Sequence, residues 1–436
     1  MADLLQGAQR AVEFATKAGA AGCFAHIYQA RSVSCQVRDG KLEKMEESTQ
    51  SGISVELYVD GRYSSHSTND LRPEVLQAFI ADAVALTRVL EVDEHRQLPD
   101  PARYAKSIAD LDLHDPAIAA TSADDRLQRA LALNERVAGK DKVISASSAV
   151  SESEVEIGAV SSNGFAGTYR ATDTGLYADA TLRDEGDKRP EGGFGMSARH
   201  LADLMRPEAV GDEALQRAML RLGSQKGPTV RTTMVVDRHS AGSLLMRLLM
   251  PAYGWAVQQG RSMWTDKLDK RLLSKKLSIV SDPLIPRGQG SRPFDGEGLA
   301  SFRMPVIEAG ALKNYALDTY YARKLGMEPT TGSPGNLVVS PGKRDLDRLI
   351  AGVGEGVYVT SWLGGNADST TGDFSFGLRG HMIRKGAIAE PVGEMNVTGN
   401  LIELFAKLGE IGGDPWLHGR IRTPSLVFTD VQFSGA

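Results

Sequence analysis

Cysteine is scarce: the 436 residues hold two, Cys23 and Cys35, both early in the chain and far from a CxxC spacing. Such a pair reads as reduced residues of a core or a strand, and local spacing cannot assemble a zinc site from it. Long apolar runs are missing as well. None reaches the ~18–20 residues needed to span a bilayer, so no membrane segment is expected. The start of the chain carries Asp3 and lacks the basic-then-apolar order of a signal peptide, which makes the cytoplasm the expected compartment. Basic clusters are also lacking. Lys and Arg number 50 against 55 Asp and Glu, for a net charge of −5. Phosphate recognition needs clustered cations, so nucleic acid is not expected as a partner. No tandem repeat at a short fixed period and no low-complexity segment is present.

What remains is ordinary globular material: 42% hydrophobic and 24% charged residues, long enough for two to three domains and an ample core. Residues 3–18 place Leu4, Ala8, Ala11, Val12 and Ala15 on one helical stripe. Val33, Cys35 and Val37 alternate with polar residues, as do Ile53, Val55, Leu57 and Val59. Asp39-Gly40 and Asp60-Gly61 supply hairpin turns. Pro73 opens a second helix over 73–90. Ser122 with Asp125 starts another, and this helix–meander–helix order recurs only loosely after residue 120. Residues 143–182 turn to strands whose second face is small and polar, suited to another sheet or a partner, with solvent as the simpler alternative. The PEGGFG run at 190–195 reads as a flexible break. A helix over 207–222 leads to Gly227-Pro228, the expected boundary between an N-terminal α+β domain (1–227) and a β-rich C-terminal domain (228–436). Beyond it come a strand at 230–236, a helix capped by Asp237, a short helix over 318–325 and a closing strand at 425–433.

The stretch 358–388 is the most informative. Val357, Val359 and Ser361 alternate with Tyr358, Thr360 and Trp362, the period of a pleated strand. Gly364-Gly365-Asn366 is expected to break that strand into a long loop. Phe374, Phe376, Leu378 and Met382 mark the next strand, and Lys385-Gly386 its turn. A glycine-rich loop between buried strands is a usual place for a site, with a plain wide hairpin as the equal alternative. Asp295 and Glu297, two residues apart in PFDGEG (293–298), admit acid–base work, cleft shaping or a bare turn. Gly352-Val353-Gly354-Glu355-Gly356 follows a helix and precedes a strand, the reverse of a nucleotide loop, and reads as a helix stop.

The runs TGDFSFGLRGHMIRKGAI (371–388), PFDGEG and DTYYARKLG (318–326), in this order and spacing, resemble the TldD/PmbA family, and most closely its PmbA (TldE) branch. The likeness extends at lower density over nearly the whole chain. It implies a two-domain α+β metalloprotease scaffold that also carries the name of a DNA gyrase modulator. The catalytic TldD members hold zinc with an HExxxH helix and a later thiolate. None of the eight histidines here begins HExxH or HExxxH. Anchored on Gly260-Arg261-Ser262, the family pattern puts apolar residues at the ligand positions: Leu245, Met246, Met250 and Leu378. No metal or other cofactor is therefore expected in this chain, and no catalytic residue. Zinc would come from a TldD-like HExxxH partner in a heterodimer; a homodimer is the other assembly the resemblance allows. Asp295, Glu297, Gly372, Asp373 and Phe374 are the candidates for lining a cleft for unfolded or short peptides. Two further classes stay open: a self-sufficient peptidase with an atypical site from His239, Asp295 or Glu297, and a non-proteolytic regulatory binding protein.

Overall fold

The computed structural model describes residues 2–435. Its first helix, α1 (Ala2–Lys17), leads into strands β1 (Gly22–Arg38), β2 (Lys41–Val59) and β3 (Arg62–Thr68), then α2 (Pro73–Thr87). The two Asp-Gly turns have positive φ at both residues, 47° and 78° for Asp39-Gly40 and 49° and 74° for Asp60-Gly61, which matches the twist of the flanking strands. After the short α3 (Pro116–Ala120) the same order returns: α4 (Ala123–Glu135), β4 (Val143–Ser161), β5 (Ala166–Leu182), β6 (Glu191–Ala198) and α5 (Pro207–Met219). Ser122 caps α4 in a reciprocal capping box with Asp125.

All six strands form one sheet in the order β3-β2-β1-β4-β5-β6. The repeat that the sequence showed only loosely is thus complete in three dimensions, two helix–meander–helix units joined through antiparallel β1 and β4. Cys23, Ala25 and Ile27 of β1 face α1 and α2, while Cys35 and Val37, of the same parity, face α4 and α5, so both helix pairs cover one face. One expectation fails here. The PEGGFG run is not a break but the approach to β6 and its first half, paired with β5 from Thr181↔Glu191 onward. Its glycines serve close packing rather than flexibility: a Cβ on Gly192 would stand 2.5 Å from Ala218 Cα of α5.

The remaining elements are β7 (Gln225–Lys226), β8 (Val230–Val236), α6 (Arg238–Leu249), α7 (Gly254–Gln258), β9 (Ile279–Asp282), β10 (Met304–Glu308), β11 (Ala311–Leu312), α8 (Thr319–Leu325), β12 (Asn336–Val339), α9 (Leu346–Ala351), β13 (Glu355–Ala367), β14 (Asp373–Arg384), β15 (Ala387–Asn400), α10 (Leu401–Ala406), β16 (Leu408–Ile411), β17 (Ile421–Arg422) and β18 (Leu426–Ser434). They build a seven-stranded sheet, β16-β18-β8-β13-β14-β15-β7, which curls until β15 also meets β18, and a five-stranded sheet, β11-β10-β9-β12-β17. A single large core, including Met234, Trp264, Ile279, Leu378, Phe405 and Phe428, lies between them. The architecture is α+β. α9 stops at Gly352 ahead of β13, as the glycine run suggested.

The 364–366 segment departs from expectation. β13 does not stop at Gly364 but runs on to Ala367, paired with β14 throughout, with register shifts between Val359 and Ser361 and between Trp362 and Gly364. Gly364 (φ 118°) and Gly365 (φ 129°) absorb these irregularities inside the strand. The connecting turn is only residues 368–372, held by Asp368 Oδ1, which accepts the Thr370 and Thr371 amides at 2.7 and 3.0 Å.

Candidate substrate cleft

α6 begins at Asp237, whose Oδ1 accepts the His239 amide at 2.8 Å. Its stripe Ala241, Leu244, Leu245, Leu248 and Leu249 is buried. Bonds tie its first turn to β13: Ser240 Oγ donates to Thr360 O at 2.7 Å, and Trp362 Nε1 donates to Ser240 O at 3.0 Å. These bonds set α6 against β13, and the same core holds Leu245 of the helix and Leu378 of β14. Leu245 and Leu378 belong to one closed core, Met246 packs against it, and Met250 ends the helix 45% exposed. These side chains offer two thioethers and no imidazole, carboxylate or thiolate, so they do not fit a zinc ion. Among the described residues no group of three or more His, Cys, Asp or Glu is placed to hold a metal.

Gly372 (φ 86°), Asp373 and Phe374 follow the hairpin turn. Asp373 is exposed and its Oδ1 accepts Asn400 Nδ2 at 3.0 Å; Phe374 is buried and stacks on Phe376 with ring centroids 4.9 Å apart. Beside them β13 presents an open edge. It pairs with β8 only over Gly356–Val359, and past α6 its residues Leu363 to Asn366 are exposed with no strand on that side among the described residues.

Asp295 and Glu297 lie elsewhere, and no contact joins them to residues 372–374 among the described residues. Asp295 is buried and its Oδ1 accepts the Glu297 and Leu299 amides, both at 3.0 Å, the self-bonded turn that the spacing suggested. Glu297 points the other way. Its Oε2 accepts both the amide and the hydroxyl of Thr319, at 2.8 and 2.9 Å, at the start of α8. Burial, opposed by the Thr319 bonds and reinforced by the charges of Asp295 and Asp318, raises the Glu297 carboxyl to about 7. Burial raises Asp295 as well.

The bare face of the first sheet closes over this turn. Phe24, Ala159 and Phe165 pack with Tyr104, Phe294 and Leu299 in one cluster. The His26 ring bonds the Gly296 backbone, and burial pushes its pKa down to about 4. The charge of Glu297 is felt by Tyr58 and Tyr63, and burial raises Tyr63 to about 12. Tyr58 donates to Glu56 Oε2 at 3.3 Å, and burial raises that carboxyl too. Arg96 sits between the rings of Tyr63 and Tyr320, at 4.2 and 3.4 Å from their centroids, locking β3 onto α8. Sequence reasoning missed His26, Glu56, Tyr58, Tyr63 and Arg96. Their one signal was an outward strand face bearing Glu and Tyr between Val55, Leu57 and Val59.

His239 is a bound residue, not a free one. Its Nδ1 lies 2.8 Å from Asp237 Oδ1, while Asp237 Oδ2 accepts the Tyr358 hydroxyl at 2.6 Å. Burial pushes Asp237 up, but the His239 and Tyr358 bonds outweigh it and hold the carboxyl at about 2. The other ring nitrogen, Nε2, is buried without a hydrogen-bond partner among the described residues, and the ring lies 4.5 Å from that of Trp416. Among the described residues nothing brings His239 to Asp295 or Glu297. His381 is likewise internal: its Nε2 donates to Leu220 O at 2.8 Å.

This scaffold, with its hairpin-and-helix centre and the two-unit sheet docked on it, defines a class of protein. The chain belongs to the PmbA/TldD metallopeptidase family: three family models, described as PmbA/TldA metallopeptidase domain 1, central domain and C-terminal domain, match residues 27–87, 116–222 and 229–435. A solved structure from Bacteroides thetaiotaomicron, bearing a gyrase-modulator name, is 39% identical and superposes with a TM-score of 0.96 over 99% of this chain and 98% of that one. "Metalloprotease PmbA" of Escherichia coli O157:H7 is 26% identical across 94% of this chain and 91% of its own length. TldE from Thermococcus kodakarensis shares the fold, with a TM-score of 0.88 at 18% identity, covering 98% of this chain and 100% of its own.

Proposed function

We propose that this chain is the TldE/PmbA-like subunit of a zinc metalloprotease, holding no zinc itself and walling the peptide cleft of a TldD-like HExxxH partner. One observation carries the reading: Leu245 and Leu378, at two of the expected ligand positions, are buried residues of one core, against which Met246 packs. A core side chain at nearly zero exposure cannot be recruited to a metal without unfolding its surroundings. The substrate is an unfolded or short peptide. The open edge of β13 at 363–366 offers unpaired backbone groups to an extended strand, and Gly372, Asp373 and Phe374 flank the turn beside it. Asp295 and Glu297 stand apart from that edge; with their oxygens occupied by backbone amides and Thr319, they hold the seam between the two sheets rather than this cleft. The buried, aromatic-enclosed Nε2 of His239 speaks against a self-sufficient site built on that residue. Among the described residues no helix is long and apolar enough to cross a membrane, and the cytoplasm is the compartment this role requires.

The test is co-expression with an HExxxH family protein, followed by stoichiometry, zinc content and cleavage of a disordered peptide. A paired complex whose zinc and activity vanish when the partner's glutamate is replaced supports the reading. Stoichiometric zinc and peptide cleavage by this chain alone overturns it. Retention of a non-proteolytic target with no HExxxH partner favours the regulatory alternative.

A further inference from the structure

A second cleft runs along the seam between α5 and β6 of the first sheet and strands β13, β14 and β15 of the second. It comprises adjoining cavities of about 520 and 580 Å³ that share Arg221, Thr360 and His381 in their walls. The 580 Å³ cavity is lined by more carboxylates than cations, but the 520 Å³ cavity is uneven the other way, with Lys188, Arg189, Arg221, Lys226 and Arg379 facing Asp184, Glu191 and Glu394. Arg217 is matched by Glu213 at 2.6 Å, and Lys226 by Glu394 at 3.7 Å. Lys188 Nζ bonds the Ser224 carbonyl at 3.1 Å. Asp184 is spent on the amides of Gly223 and Glu185, at 2.8 and 2.9 Å. Among the described residues Arg221 has no carboxylate partner: it donates to the Glu191 carbonyl and, at 3.5 Å, to Ser361 Oγ. Arg379, exposed on β14, lines the 520 Å³ cavity; its carbonyl accepts from Thr360 Oγ1 at 3.2 Å, and its guanidinium makes no hydrogen bond or ion pair among the described residues.

Burial, then the charges of Arg379 and Arg217, lower the pKa of Arg221, and these outrank the opposing pull of Glu191. Like charges held together in a half-buried cleft cost free energy unless an anion joins them. The guanidinium fork fits a carboxylate bidentately, and Ser361, 3.5 Å from Arg221, adds a neutral polar group alongside.

We propose that this cleft binds a carboxylate of a peptide, with Arg221 and Arg379 as the paired recognition groups. The reading rests on the peptide-cleft function above for its choice of ligand, since a peptide carries carboxylates at its C-terminus and at Asp and Glu. It places an anchoring point at the near end of the β13 edge, whose Leu363 lines the same cavity, on this chain rather than on a partner.

The probe is N-acetyl-tetra-alanine with a free C-terminus, titrated calorimetrically into the whole purified chain. Its C-terminal amide, an amidated peptide with one internal Glu, and inorganic phosphate serve as comparisons. The free acid is expected to saturate one site, with the amide at least tenfold weaker. Arg379→Gln should weaken the acid about tenfold or more and leave the amide unchanged. Because the Arg379 guanidinium makes no bond among the described residues, the variant's melting temperature should hold; Arg72→Gln, on a distant exposed pair, is the control. Tight binding of the internal-Glu amide also upholds the site and assigns it to side chains as well as to chain ends. Equal binding of acid and amide, an unchanged Arg379→Gln, or saturation by phosphate but not by the acid overturns the proposal. None of these measurements needs a partner, zinc or cleavage. Failure here with a working HExxxH complex removes only this site, and binding here without such a complex removes only the subunit reading.

Discussion

Replacing Glu297 by Gln tests the electrostatics of the inter-sheet seam. The folded protein holds the Glu297 proton up to about pH 7, against an ordinary value of 4.5. Unfolding releases that proton between these two values, so rising pH favours the unfolded chain across this window. Below about pH 4.5 both states keep the proton, and above about 7 both have lost it, so the effect is flat outside the window. At about 1.4 kcal/mol per pH unit, the wild type should lose up to about 3 kcal/mol across it, and nearer 1–2 where water relaxes the site. Glutamine stays neutral and keeps an oxygen to accept from Thr319, so the variant should not show this loss. Urea unfolding of both proteins in parallel, from pH 4 to 8.5, isolates the group, since other titrations largely cancel in the difference. Part of the neighbouring Asp295 burden is relieved in the variant, which adds to the same sign. A difference that is constant with pH, or one that moves in the wild type's favour as pH rises, would refute the argument.

Two further substitutions probe the scaffold. Glu152 is buried and accepts from Arg126 and Arg129 of α4, each at 2.7 Å. Glu152→Ala strands a buried guanidinium and should cost about 3–5 kcal/mol in urea unfolding, whereas a loss under about 1 would show that water already serves the pair. Gly365→Ala meets a positive φ of 129° and a Cβ placed 2.1 Å from Ser375 O. It should lower stability by about 2 kcal/mol or more and raise amide exchange along β14; unchanged exchange would mean the hairpin has slack.

The sequence made the fold class legible because alternation and turn chemistry agree locally. Asp39-Gly40 and Asp60-Gly61 name their turns, Ser122 and Asp237 name their caps, and the Val55, Leu57, Val59 face names the core. Glycine misled twice, at 190–195 and at 364–366, because a missing Cβ serves close approach as well as flexibility. Only the position of Ala218 or the Ser375 carbonyl tells the two apart. The internal repeat was muted because its units share pattern rather than residues. The site was not legible in line: the enclosure of Glu297 depends on His26 and Tyr58, some 240 to 270 residues earlier. Burial of that kind is made by tertiary contact, and no local rule encodes it.

The seam between β1 and β4 joins Phe24 through Arg38 to Ser147 through Ser161 without a slip in register. A chain severed between the two units would bare a ladder fifteen residues long on each half, wide enough to template wrong partners. The regions matched as domain 1 and central domain are therefore halves of one cooperative body, and an insertion tolerated between them must leave that ladder closed.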